Sequence, residues 1–166
     1  MYKSLKCRFI TISPSISLAN LIIDFENLWP HQRQGIAQAL TVLENQGAVV
    51  VADPTGSGKT KTGGWLLRLS HQKILSNGGE MATNLTPVMV CPSSVRNNWF
   101  RLFDDLGIRP EVLPMGILSG GTKESSLNRL KSINRTNLLA VDEIHNYYGK
   151  KSKRTKILSS NLAESR

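Results

Sequence analysis

Apolar residues in this chain fall into short runs separated by polar, glycine-bearing stretches, and their spacing switches between two periods. Ala48-Val49-Val50-Val51-Ala52, Pro87-Val88-Met89-Val90-Cys91-Pro92, Glu111-Val112-Leu113-Pro114 and Asn137-Leu138-Leu139-Ala140-Val141 have the length and composition of buried strands. Between them, apolar residues recur at helical spacing. Ile36, Leu40 and Leu43 follow Pro30, whose missing N–H suits the first turn of a helix, and Gly47 is a natural stop. Trp65, Leu66 and Leu69 predict a helix from Lys59 to about Ser76. Gly63 and Gly64 inside it each cost about 1 kcal/mol relative to alanine, which close packing on a sheet would offset. Residues 76–86 read as a polar loop. Val95, Trp99, Leu102, Phe103 and Leu106 form the stripe of a third helix, capped by Ser93 or Ser94 and ended by Gly107. Trp99 and Phe103 therefore read as core. A turn at 119–122 precedes a basic helix carrying Leu127, Leu130 and Ile133, and Ile157, Leu158, Leu162 and Ala163 suggest a last one. Strands alternating with helices predict a three-layer α/β fold with a mostly parallel sheet.

Composition narrows the class. At 166 residues the chain is one domain's worth. No stretch approaches the roughly 20 apolar residues of a membrane span, and two distant cysteines make a reduced, cytoplasmic protein the expectation. The net charge of +9 favours a polyanionic partner, nucleic acid first. The run Lys150-Lys151-Ser152-Lys153-Arg154-Thr155-Lys156 is either a nucleic-acid contact or a solvated face. Cys7 and Cys91 show no metal-type spacing, and Cys91, closing an apolar run, reads as a small core residue. In residues 1–27, Lys3, Lys6 and Arg8 precede a short apolar stretch broken by Ser13, Pro14, Ser15 and Ser17, which is not a secretory signal. They are taken as a leader or a peripheral hairpin, and residues 28–166 as the domain.

Chemistry concentrates at two places. Asp53-Pro54-Thr55-Gly56-Ser57-Gly58-Lys59-Thr60 lies between an apolar run and a helix. Glycines there let the backbone aim several N–H groups at one anion, and the helix N-terminus adds partial positive charge. Thr55, Gly56, Ser57, Gly58, Lys59 and Thr60 would cradle a nucleoside triphosphate, Lys59 reaching the β- and γ-phosphates and the Thr60 hydroxyl taking a position on Mg²⁺. Upstream, the Gln32 amide carries a donor and an acceptor that match adenine, although a Gln on a helix surface needs no ligand. The second place is Asp142-Glu143-Ile144-His145, at the C-terminal end of an expected strand, where open α/β sheets bind ligands. Triphosphate hydrolysis needs one carboxylate for Mg²⁺, partly through water, and another to orient or deprotonate the attacking water. Asp142 and Glu143 can divide these roles, with Lys59, if the strand ends before them, because adjacent side chains on a strand point to opposite faces. Arg96, Asn97 and Asn98 sit in a first helical turn where side chains and free N–H groups either hold a phosphate or form an ordinary solvated face.

Taken together, these segments resemble the first motor domain of a superfamily-two helicase or translocase. The resemblance runs from Leu28 to about Arg154. Leu28-x-Pro30-x-Gln32-x-x-Gly35 is similar to the family's adenine-recognition segment, and residues 52–60 to its phosphate loop, with the Ala-Asp opening of Swi/Snf-type translocases. Residues 88–99, with Cys91-Pro92-Ser93 and Asn98-Trp99, resemble a segment contacting the nucleic-acid backbone, and Asp142-Glu143-Ile144-His145 a DExH box. The resemblance implies a RecA-like P-loop NTPase domain that binds ATP and Mg²⁺ and couples hydrolysis to movement on DNA. Ser93, Arg96 and Asn97 would touch nucleic acid, and His145 would link nucleotide state to it. A DExH RNA helicase and a non-catalytic nucleic-acid-binding remnant are the alternatives. Family members continue into a Ser/Thr-Ala-Thr-type segment and a second motor domain bearing arginine fingers. This chain shows neither, so it is expected to be a fragment with an incomplete sheet and weak activity alone.

Overall fold

The structure, a computed structural model, describes residues 27–83, 86–119 and 138–147. These fall into two compact units, one carrying residues 27–83 and the other residues 86–119 and 138–147. The expectations for the leader, the turn and basic helix at 119–135 and the tail from 150 onward lie outside the described residues, apart from Asn27 and Ser119.

In the first unit, helix α1 (Pro30–Gln46) packs against helix α2 (Lys59–Thr83). Pro30 opens α1 and Gly47, in the left-handed region, closes it by donating its N–H to the Leu43 carbonyl at 2.8 Å. Ile36 and Ala39 are buried on α1, and Trp65, Leu67, Leu69 and Ile74 on α2. Helix α2 runs past Ser76, where a loop was expected. Glu80, Met81 and Ala82 are strong helix formers, and they outweigh the local penalty of Gly78 and Gly79.

The expected strand at 48–52 is not formed. Val50 is 65 % exposed, and residues 48–52 join no ladder among the described residues. Val49 and Val51 are half-buried while Ala48, Val50 and Ala52 are exposed, the alternation of an extended segment. A β-branched run supplies extended propensity, but a strand exists only where a neighbour takes up its backbone N–H and C=O groups.

The second unit is a small mixed α/β arrangement around a three-stranded parallel sheet. Strands β1 (Val88–Cys91), β2 (Glu111–Pro114) and β3 (Leu139–Val141) stand in the order β2-β1-β3, with Val88 opposite both Glu111 and Leu139. Every residue of central β1 is buried, as expected for a strand covered on both faces. Val88, Val90, Leu113, Met115 and Ile117 form the core, with Leu139, Val141 and Ile144 packed on it. After β1, the residues Ser93–Val95 form a 3₁₀ turn, and helix α3 (Arg96–Asp105) starts behind it without a serine cap. Trp99 and Phe103 are buried and stack at 5.4 Å, so their reading as core holds. Helix α3 ends in a Schellman motif: Ile108 donates to the Phe103 carbonyl and Gly107 to the Asp104 carbonyl, at 3.0 and 3.1 Å.

Among the described residues, no helix is long and apolar enough to cross a membrane.

Candidate nucleotide site

The Asp53–Thr60 segment forms a turn that runs directly into α2, with Lys59 as the helix's first residue. Gly56 and Gly58 take φ of +86° and +79°, a region that L side chains rarely adopt. At Gly58 the constraint is double, because a Cβ there would meet Gln32 Nε2 at 2.3 Å. Lys59 Nζ donates to the carbonyls of Asp53 and Pro54, at 2.8 and 2.9 Å. An ammonium held only by neutral acceptors on an exposed loop can exchange them for a phosphate, to which its hydrogen bonds are roughly twice as strong. The Ser57 hydroxyl is buried without a partner, an orphaned polar atom inside the loop. Two left-handed glycines, one cation, an orphaned hydroxyl and a helix N-terminus together suit a triphosphate. Thr60 is exposed in the first turn of α2, open to a metal ion.

Gln32 is buried rather than on an open helix surface. Its side chain is 5 % exposed and its amide is used internally. Oε1 accepts from the Trp29 N–H at 3.0 Å, and Nε2 donates to the carbonyls of Ser57 at 3.2 Å and Gly58 at 3.4 Å. The residue straps the start of α1 to the Asp53–Thr60 loop. His31 adds a second strap, Nε2 donating to the Ser57 carbonyl at 3.2 Å in the tautomer that carries its proton there.

In the second unit β3 ends at Val141, as the division of labour between two adjacent carboxylates requires. The Asp142 N–H still donates to the Val90 carbonyl at 2.8 Å, continuing the sheet's last rung. Glu143 then turns away with φ of +53°, the single non-glycine residue in the left-handed region among those described. The Asp142 carboxylate is held at both oxygens. Oδ2 accepts from Trp99 Nε1 and Oδ1 from the Glu143 N–H, each at 2.9 Å. Its remaining lone pairs stay available to a hydrated cation. Glu143 is exposed, its Oε2 3.1 Å from Nδ1 of the equally exposed His145, so the residue expected to relay nucleotide state touches the one expected to orient water.

Because β1 and β3 are parallel, the segment after β1 emerges at the same sheet edge as Asp142. Ser93 and Asn97 are exposed there, while the Arg96 guanidinium lies 5.1 Å from the Phe100 ring centroid with its Nε buried and unpartnered. Cys91 is fully buried. Burial first, then the Asp142 carboxylate, push its thiol up to about 11 against the opposing effect of Arg96, which keeps it inert.

Thr55, Gly56, Ser57, Gly58, Lys59, Thr60 and Gln32 thus share the first unit, and Asp142, Glu143 and His145 the second, with Ser93, Arg96 and Asn97. Sequence reasoning missed His31 and Trp99. No spacing rule links residue 99 to residue 142. A Trp in a core stripe gave no sign that its indole N–H would reach a carboxylate. No protein-family profile matches the chain, and neither a curated protein nor a solved structure matches it.

Proposed function

We propose that this chain is the ATP-binding part of an ATP-dependent DNA helicase or translocase, built on a RecA-like P-loop domain. The observation that carries the reading is the loop at Asp53–Thr60, where two left-handed glycines lead Lys59 onto the first turn of a long helix. In this reading Thr55 to Thr60 wrap the phosphates through their N–H groups. Lys59 leaves the Asp53 and Pro54 carbonyls for the β- and γ-phosphate oxygens. Mg²⁺ would neutralise charge on the phosphates; in the first unit Thr60 is the residue suited to hold it, and in the second unit the Asp142 carboxylate is suited to a hydrated Mg²⁺. Glu143, freed from the strand direction by its left-handed backbone, orients water and accepts its proton. His145, 3.1 Å from that carboxylate, senses its state. Ser93, Arg96 and Asn97, at the edge of the sheet, meet the backbone of a nucleic acid that the charge of +9 attracts.

The test is nucleotide binding and nucleic-acid-stimulated ATP hydrolysis by the protein. Glu143→Gln should keep Mg²⁺-ATP binding and abolish turnover. Stimulation by duplex DNA in preference to RNA supports a DNA motor, and the reverse supports an RNA helicase. Salt-sensitive nucleic-acid binding with no response to ATP would leave only a non-catalytic binding protein.

A further inference from the structure

Once the Gln32 amide is committed to protein partners, recognition of the nucleobase has to come from elsewhere. Two aromatic rings lie beside the loop. Trp29 is 60 % exposed, an unusual state for the residue type with the largest apolar surface. His31, also exposed, lies 5.5 Å from it, ring centroid to ring centroid, at an interplanar angle of 56°. The pair is fixed to the loop at two points. His31 hydrogen-bonds the Ser57 carbonyl, and the Trp29 N–H is held by Gln32, whose other end grips Ser57 and Gly58. The rings are tilted rather than stacked, and Trp29 leaves most of its surface open to water beside His31, which is itself bonded to the loop.

We infer that Trp29 and His31 form the platform on which the base of a bound nucleoside triphosphate stacks, so that the site accepts adenine and guanine nucleotides alike. This rests on the nucleotide reading of the loop and deepens it. Stacking reads the π-face that every base has, whereas discrimination between adenine and guanine requires donors and acceptors on the base edge. Gln32 would be the reader of that edge, but its amide is taken up by the Trp29 N–H and the two loop carbonyls, so reading a base would cost those hydrogen bonds. Selectivity is therefore for a planar base over none, and for the larger purine over the smaller pyrimidine.

The experiment is competition against a ribose-labelled fluorescent ATP on the whole protein with Mg²⁺, using ATP, GTP, CTP and inorganic tripolyphosphate as competitors. ATP and GTP should displace the probe within about threefold of each other, CTP less well and tripolyphosphate least. Trp29→Ala should weaken ATP and GTP by about tenfold and leave tripolyphosphate unchanged, whereas Trp29→Phe, which keeps a ring, should restore most of the affinity. Trp29 is exposed, so its replacement removes little packing, and circular dichroism of each variant checks the fold. ATP binding more than about tenfold tighter than GTP, or equal losses for ATP and tripolyphosphate in Trp29→Ala, would overturn the platform while leaving the phosphate site standing. Failure of ATP and tripolyphosphate alike to bind would instead overturn the nucleotide reading itself, and the platform with it.

Discussion

Replacing Gln32 by Leu separates a structural strap from a base reader. The side chains are close in size, so the change removes polar contacts with little change in packing. Three hydrogen bonds go: Trp29 N to Oε1 at 3.0 Å, and Nε2 to the Ser57 and Gly58 carbonyls at 3.2 and 3.4 Å. A typical neutral hydrogen bond contributes about 1 kcal/mol net, and the longest of the three contributes least. Ser57 and Gly58 are only half-buried and Trp29 is exposed, so water replaces part of the loss. The net destabilisation is about 2 kcal/mol in the absence of any nucleotide. For a chain of this size that lowers the melting temperature by about 4–8 °C. The Trp29 amide should also exchange with solvent about tenfold faster, since about 1.4 kcal/mol of local protection is a factor of ten. Gln32→Glu should be worse than Gln32→Leu, because it keeps an acceptor for Trp29 but aims an anion at two carbonyl oxygens and at the phosphate loop. Thermal denaturation and hydrogen exchange of the ligand-free protein measure both effects. An unchanged melting temperature and unchanged Trp29 exchange in Gln32→Leu, with ATP affinity lost, would refute the strap and return Gln32 to adenine recognition.

The other expectations concern single atoms and backbone angles. Gly58→Ala should destabilise the protein more than Gly56→Ala: both impose a left-handed alanine at about 1–2 kcal/mol, but only Gly58 also displaces Gln32 Nε2. Equal denaturation midpoints for the two would contradict this. Trp99→Phe removes the indole donor to Asp142 and should cost about 1.5–3 kcal/mol, the range for a hydrogen bond to a charged group. In a double-mutant cycle with Asp142→Asn the losses should be less than additive, and strict additivity would show that the bond contributes nothing. The Cys91 thiol, raised to about 11 from an ordinary 9.0, keeps its proton in the fold where the unfolded chain loses it. Unfolded chains then bind fewer protons, so stability is full below about pH 9 and falls as pH rises toward about 11. Denaturation of wild type and Cys91→Ala across that window checks it, the variant lacking this component of the decline.

Much of the second unit was legible in the sequence because its signals are local and agree with one another. The run 88–91 is apolar, rich in valine and bounded by Pro87 and Pro92, Val112 and Leu113 lie between Pro110 and Pro114, and the stripe of α3 has one period throughout. The end of the strand at Val141 was also legible, because the apolar run stops at Asp142. What failed was non-local. Val49-Val50-Val51 is as good a strand sequence as Val88-Met89-Val90, yet only the second finds partners, and pairing is a property of the whole chain. The partners of Gln32 were illegible for a related reason. Its amide suits adenine and a peptide carbonyl equally well, and only the fold shows that two carbonyls stand within 3.4 Å of it. Helix α2 ran long because propensity summed over many residues outweighed two glycines.

The central claim is that the loop ending in Lys59 holds the phosphates of a nucleotide, and calorimetric titration of Mg²⁺-ATP into wild-type protein and Lys59→Ala tests it most directly. The wild type should bind with one site per chain, and the variant, keeping its fold by circular dichroism, should lose about 10- to 100-fold in affinity, the equivalent of one charge-assisted hydrogen-bonding group. No binding by the wild type, or equal binding by both, would contradict the account.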